Sequence, residues 1–295
     1  MKQSSNRVNK MQRKEALKIM THRYSSISEE WDRYVVPFTG IFAEEVVQAA
    51  QIKQKYHVLD IGTGTGVSAL KSASAAGSQG HVIGIDVAEG MLRIANEKAK
   101  KSGYQHLIFK VMDALDLDFP TSSFDVVISN LGDPIFEKKA VRQIYRVLKD
   151  NGRFSFNHWS TKRTEAKRMC GSIFSKYKTQ QPSLQLERER QAEAIIYNTS
   201  ETKKYVADPE LLKSLFKEVG FQNLTVRKKT HKIVLSSPEA YIDMMIPFDY
   251  VSEVAEISSS DRRELMDELR AGLEELMQPD GLILEPELYY YLGTK

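Results

Sequence analysis

Cysteine is nearly absent from these 295 residues. The one present, Cys170, cannot form an internal disulfide, so a reducing, cytoplasmic setting is expected. No apolar run approaches the roughly eighteen residues that span a bilayer, so no transmembrane segment is expected. The N-terminal MKQSSNRVNKMQRKEALKIM lacks the apolar centre of a signal peptide, which argues against secretion. Internal repeats and low-complexity tracts are also missing, and no metal is expected. An excess of one charge is missing too, with 42 basic against 39 acidic residues. What is present is a hydrophobic fraction of 41%, ample for a core and too high for disorder. The length suits one core with elaborations better than two domains.

Charge is balanced in total but not in place. Through Arg23 the chain has seven basic residues (Lys2, Arg7, Lys10, Arg13, Lys14, Lys18, Arg23) against Glu15, giving +6 and leaving −3 for the remainder. Such an arm is either a solvated terminus or a contact for RNA or an anionic surface. The core shows no aromatics interleaved with basic residues, as an RNA platform wants, so nucleic acid is not the expected partner.

Strand and helix signals alternate from Val58 onward. Strands are predicted near 57–61, 81–86, 107–112, 124–129 and 153–158, and helices near 66–76, 89–102 and 137–149. That alternation predicts an α/β fold with a doubly wound parallel sheet. It is preceded by an N-terminal helical cap over 1–40 and interrupted at about 161–205 and 238–278. Both interruptions attach where ligands bind in open parallel sheets, at the carboxyl ends of the strands, so a helical lid is expected.

Within this frame VLDIGTGTG, residues 58–66, joins a buried strand to a turn crowded with glycine. Gly62, Gly64 and Gly66 let the backbone approach a ligand closely, and the next helix aims its free N–H groups at it. The following strand, HVIGIDV, ends at Asp86, an acceptor suited to ribose hydroxyls. A dinucleotide fold wants G-x-G-x-x-G, whereas here Val67 stands at the third glycine position, so a dehydrogenase is disfavoured.

The glycine spacing, with Asp60 inside the strand and Asp86 closing the next, resembles the first motifs of class I S-adenosylmethionine-dependent methyltransferases. LIFKVMDALDLDFPTSSFDVVISN and RVLKDNGRFSFNHWS resemble the strands and helix that complete the donor half of that fold. The tail GLILEPELYYYLGTK resembles the final strand of the subgroup that methylates ubiquinone and menaquinone precursors and other small metabolites. The resemblance implies a seven-stranded Rossmann-like sheet with one antiparallel strand, and S-adenosylmethionine as cofactor. It implies that Asp60 orients the methionine ammonium, Asp86 takes the ribose, and Asp113 with the Ala114 backbone reads the adenine. Asn130 is placed near the sulfonium, and Met91 lies either on the adenine face or in the core.

The acceptor side is less legible. His57, His81 and His106 fall at strand starts, away from the crevice, so they are structural; His231 is open, and His22 lies in the basic arm. His158, at the end of the fifth strand beside Trp159, is the candidate general base, with a hydrogen-bonded pocket histidine as the alternative. Tyr24, Trp31 and Tyr34 either contact the acceptor or pin the cap. Met244, Met245, Ile246 and Phe248 line a pocket or form lid core, and Cys170 has no expected reactivity. The expected reaction is in-line methyl transfer to O, N or C of a small, partly apolar metabolite. The rivals are an RNA or protein methyltransferase guided by the basic arm and a non-catalytic S-adenosylmethionine-binding protein. No oligomeric state is implied.

Overall fold

The computed structural model describes residues 11–197 and 199–295; Lys2, Arg7 and Lys10 of the basic arm lie outside the described residues. Strands β1 (His57–Ile61), β2 (His81–Asp86), β3 (Leu107–Val111), β4 (Phe124–Asn130), β5 (Leu148–Trp159) and β6 (Gln222–Thr230) join the C-terminal strand Glu287–Thr294 in one seven-stranded sheet. The order is β3-β2-β1-β4-β5, then the C-terminal strand, then β6. Parallel pairing runs through β1, with Val58 opposite Val82 on one side and Val126 on the other. The C-terminal strand is antiparallel to both neighbours, with Tyr290 opposite Asn157 and Arg227. Strand order reverses between β1 and β4, and the crevice at such a switch point is where open sheets bind ligands.

Period-two alternation builds a core on each face of the sheet. Val58, Val82, Val126 and Ile128 face the helices Val36–Ala50 and Val67–Ala76. Leu59, Ile61, Val127, Phe154 and Phe156 face the helices Lys138–Val147 and Pro209–Val219. The latter helix starts where the Asp208 carboxylate accepts from Glu210 and Leu211 N–H, a cap contributing about 1 kcal/mol. It ends at Gly220, with φ 121°.

The last two extended stretches of the chain each divide in two. After β6 the chain crosses, with His231 N–H donating to Pro286 O at 2.9 Å, and Ile233–Leu235 leaves the main sheet. It pairs instead with Gly281–Leu284, which also pairs with Met277–Gln278, in a small separate sheet. Pro286, with no N–H to give, separates Gly281–Leu284 from the C-terminal strand.

The interruptions are helical. Glu165–Tyr177, Leu184–Ile196 and Ser200–Ala207 form the first; Pro238–Met245, Val251–Glu256 and Ser259–Glu274 form the second. The N-terminal helix Arg13–Ser26 packs Ala16 and Met20 on Ala192 and Ile196 of the first. Phe174 stacks on Tyr250 at 3.8 Å, joining the two insertions. Met244 and Met245 are buried in this packing and are lid core, and buried Cys170 sits in the same cluster. Among the described residues no helix is long and apolar enough to cross a membrane.

Candidate functional site

The carboxyl ends of β1, β2, β4 and β5 open into a cavity of about 360 Å³. Its floor is the loop after β1, where Gly62, Thr63, Gly64 and Thr65 line the wall. Asp86 orients that loop, accepting from Gly64 N–H through Oδ2 and from Ala88 N–H through Oδ1, both at 2.9 Å. Asp86 lines the cavity, and burial raises its pKa.

Asp60, expected to contact the ligand, lies beneath the loop, 1% exposed and not itself on the cavity wall, so it can act on a ligand only through the loop or a water. Oδ2 accepts from the Thr63 hydroxyl at 2.6 Å, while buried Oδ1 has no hydrogen-bond partner among the described residues. Burial, augmented by the charge of Asp86, pushes the Asp60 carboxyl up to about 7 against the opposing Thr63 hydrogen bond. An orphaned buried carboxylate wants a cation. At Gly64 an added Cβ meets nothing within 4 Å, so the loop leaves open space above itself. An α-amino acid cation and a ribose fit this donor set.

Gly66 does not line the cavity, contrary to its expected role as a contact. With φ 87° it occupies the left-handed region, and a Cβ there would lie 3.0 Å from Ala95 Cβ and 3.1 Å from Phe109. Its task is close packing of the turn on the helix Glu89–Lys101 and on Phe109 of β3. Met91 and Ala114 line the cavity while otherwise buried, and Asn130 lines it at the end of β4. Asn130 is held by Asn157, whose Nδ2 donates to Asn130 Oδ1 at 2.9 Å. Asn157 Oδ1 accepts from Leu131 N–H at 2.7 Å, fixing Leu131 at φ 60°.

Asp113 lines the cavity but already has partners. Oδ1 accepts from Leu115 N–H at 3.0 Å, and Oδ2 accepts from Arg13 Nη1 at 2.8 Å. Arg13, assigned by sequence to a basic arm, is therefore a wall of the site. Arg23 likewise pairs with Glu193 at 3.4 Å.

His158 lines the cavity, yet its geometry corrects the expectation of a general base. Nδ1 lies 2.7 Å from Trp159 O and must carry the proton, which leaves Nε2 to accept from the Tyr291 hydroxyl at 3.0 Å. Both nitrogens are engaged, and burial lowers the imidazole to about 4. The alternative, a hydrogen-bonded pocket histidine, is what the structure places there. His231 is likewise buried and pairs with the Tyr290 hydroxyl at 2.8 Å.

Aromatic rings form part of the wall. Tyr24, Trp31 and Trp159 line it, joined by Phe248, the one member of the expected Met244–Phe248 group to line the cavity, and by Tyr197, which the sequence alone did not bring to the site. Trp31 stacks on Phe248 at 5.4 Å and meets Tyr24 edge-on at 5.7 Å. Tyr34 is not on the wall; it lies under Arg33. Trp31–Val35 is a π-helical turn, whose wider spacing takes position 34 off the face of position 31. Glu193 and Asp249 complete the wall, and Asp249 pairs with Lys167 at 3.0 Å.

A family model described as a methyltransferase domain matches residues 52–232. The chain belongs to the methyltransferase-domain family. Aklanonic acid methyltransferase DauC from a Streptomyces species is 34% identical over 142 residues, covering 47% of this chain and 64% of that protein. Demethylmenaquinone methyltransferase from Symbiobacterium thermophilum is 32% identical over 184 residues, covering 60% and 72%. Two solved structures share the fold. The YcgJ protein from Bacillus subtilis has a TM-score of 0.53 at 17% identity, over 86% of this chain and 97% of that one. An uncharacterised methyltransferase from Bacillus halodurans has 0.52 at 18% identity, over 86% and 98%. As a class I methyltransferase the chain uses S-adenosylmethionine as its methyl donor.

Proposed function

We propose that this methyltransferase transfers the methyl group in line to O, N or C of a small, partly apolar metabolite held against the aromatic wall. The observation that carries the reading is the continuity of one cavity. Its wall carries both the glycine loop with Asp86 and the rings of Trp31, Trp159 and Phe248. The relatives named for aklanonic acid and demethylmenaquinone support a small organic acceptor. When bound, S-adenosylmethionine supplies an electrophilic methyl on a sulfonium. The chain's own residues then have three tasks. Asp60 and Asp86 would hold the ammonium and ribose, and Met91, Asp113 and Ala114 would hold the adenine. The aromatic wall excludes water and aligns the acceptor. Neutral His158 keeps Trp159 and Tyr291 in place rather than moving a proton.

The cap and the two insertions together act as the lid of this cavity. An RNA-guided reading loses support because Arg13 and Arg23 face Asp113 and Glu193 instead of solvent partners. The single buried cysteine supports a reducing, cytoplasmic setting.

Calorimetric titration of wild type and Asp86→Ala with S-adenosylmethionine, S-adenosylhomocysteine and NAD tests the donor site. Binding of the first two alone, lost in the variant, is expected; preference for NAD would overturn the reading. With the donor loaded, turnover of small hydroxylated ring compounds, and none of RNA, is expected.

A further inference from the structure

Two π-helical turns occur among the described residues, Trp31–Val35 in the cap and Ile246–Tyr250 in the second insertion, and they pack against each other. Their contact is the Trp31–Phe248 stack, and both rings line the acceptor side. A π turn bonds less well than α-helix and persists where surrounding contacts hold it, frequently at functional sites. The contact that holds the first one is made by Asp32. Its Oδ1 accepts from the Thr65 hydroxyl at 2.6 Å and also from Lys98 Nζ. Lys98 Nζ lies 3.4 Å from the same Thr65 hydroxyl, so the three groups close a triangle.

Each corner belongs to a different part of the molecule. Asp32 is in the cap, next in sequence to Trp31. Thr65 is in the glycine loop, 2% exposed and on the cavity wall. Lys98 is on the helix Glu89–Lys101, behind the wall. Asp32 itself does not line the cavity. The cap has other pins, Arg13 on Asp113 and Glu29 on Arg93, but these reach the β3 end and the helix surface rather than the loop.

We propose that Asp32 is a positioning residue that couples the donor loop to the acceptor wall. Ordering of the loop fixes Thr65, Thr65 fixes Asp32, and Asp32 fixes the turn that presents Trp31. Coupling of two sites through one element is reciprocal, so disengaging Trp31 must in turn weaken ligand binding at the loop. The inference rests on the donor-site reading above and adds a route between its two halves.

The experiment uses the two tryptophans, Trp31 and Trp159, both on the wall. Trp159→Phe leaves Trp31 as the sole indole. Acrylamide quenching of Trp31 is measured with and without S-adenosylhomocysteine, beside a calorimetric Kd, in otherwise wild-type chain, Asp32→Ala, Asp32→Asn and Lys98→Met. Amide exchange over 28–36 in the native two-tryptophan background supplies the same readout without Trp159→Phe. With Asp32 present, the ligand should lower quenching of Trp31 and slow exchange over 28–36. With Asp32→Ala the ligand should bind about fivefold or more weakly, and its effect on quenching and exchange should vanish at unchanged far-UV circular dichroism. Asp32→Asn, which keeps an acceptor for Thr65, and Lys98→Met, which leaves that bond in place, should each fall between. A merely structural role would move the thermal midpoint without abolishing the ligand-dependent change. Asp32→Ala with an affinity within twofold of wild type and an intact ligand response would overturn the coupling alone. Wild type that does not bind S-adenosylhomocysteine would overturn the donor reading, and the coupling with it.

Discussion

S-adenosylhomocysteine added at pH 6 should displace about one proton from the protein, and Asp60 is its source. The Asp60 carboxyl is 1% exposed and is pushed up to about 7, chiefly by burial. An ammonium placed near its unpartnered Oδ1 favours the ionised form, so binding must release the proton. A group titrating near 7 is about 0.9 protonated at pH 6 and about 0.1 protonated at pH 8. Apparent affinity should therefore fall about tenfold from pH 8 to pH 6. The ligand amine is fully charged at pH 6, being well below the α-amino range, so the release there reports the protein. Calorimetry at pH 6 in buffers of small and large ionisation enthalpy gives the proton number as the slope of observed enthalpy. Asp60→Asn should reduce that slope toward zero and weaken binding at pH 8. A zero slope in wild type with binding intact would refute the buried-acid argument. A slope that survives Asp60→Asn would move the proton to Asp86, whose carboxyl burial also raises.

Three further outcomes follow from packing and burial. At Gly90 the cap backbone packs closely on the helix Glu89–Lys101, and a Cβ there would sit 2.4 Å from Ser25 O. Gly90→Ala should displace the cap, raising amide exchange over 20–30 and weakening S-adenosylhomocysteine binding although Gly90 does not line the cavity; unchanged exchange would refute the close approach. His158 is held neutral in the fold at about 4 but titrates near 6.5 when unfolded, so the unfolded chain binds more protons between those values. Its contribution is present above about pH 6.5 and lost as pH falls toward 4. His158→Gln should narrow the loss of stability between pH 7 and 4.5 by about 2–3 kcal/mol, measured by urea denaturation at both pH values. Burial pushes the Cys170 thiol up to about 12, so Ellman's reagent should react with it only after unfolding; rapid native modification would refute that burial.

The donor half was legible in the sequence because it is local. A strand, a glycine turn and a helix within residues 58–76 define the loop, and the acid closing the next strand is found by counting. Even there, spacing did not distinguish Gly64, which borders the cavity, from Gly66, which packs on Ala95. The difference depends on what the neighbouring helix brings to the turn, and that is not written in the turn. His158 was located correctly at the strand end, but its partner Tyr291 is 133 residues away. Proximity to the crevice was readable from strand polarity; the state of the ring nitrogens was not.

The acceptor half was legible only in part, at Tyr24, Trp31, Trp159 and Phe248, for a physical reason that also separates the roles of the two halves. Trp31, Tyr197 and Phe248 come from the cap and two insertions, and Arg13 reaches Asp113 across 100 residues. No periodicity within any one segment predicts which ring will face another segment, and the π-helical turns break even the local 3.6-residue rule at Trp31 and Phe248. The donor loop is set on strands buried from both sides, where substitution disturbs the core. The acceptor wall is carried by helices that meet mainly one another, through Ala16 and Met20 on Ala192 and Ile196 and through Phe174 on Tyr250. Such a wall can be rebuilt without touching β1 or β2, so exchanges at Tyr197 should alter acceptor choice while S-adenosylhomocysteine affinity stays within a few fold. Asp32 is the exception. It joins the rebuildable wall to the fixed loop through Thr65, so its loss should be felt on both sides at once.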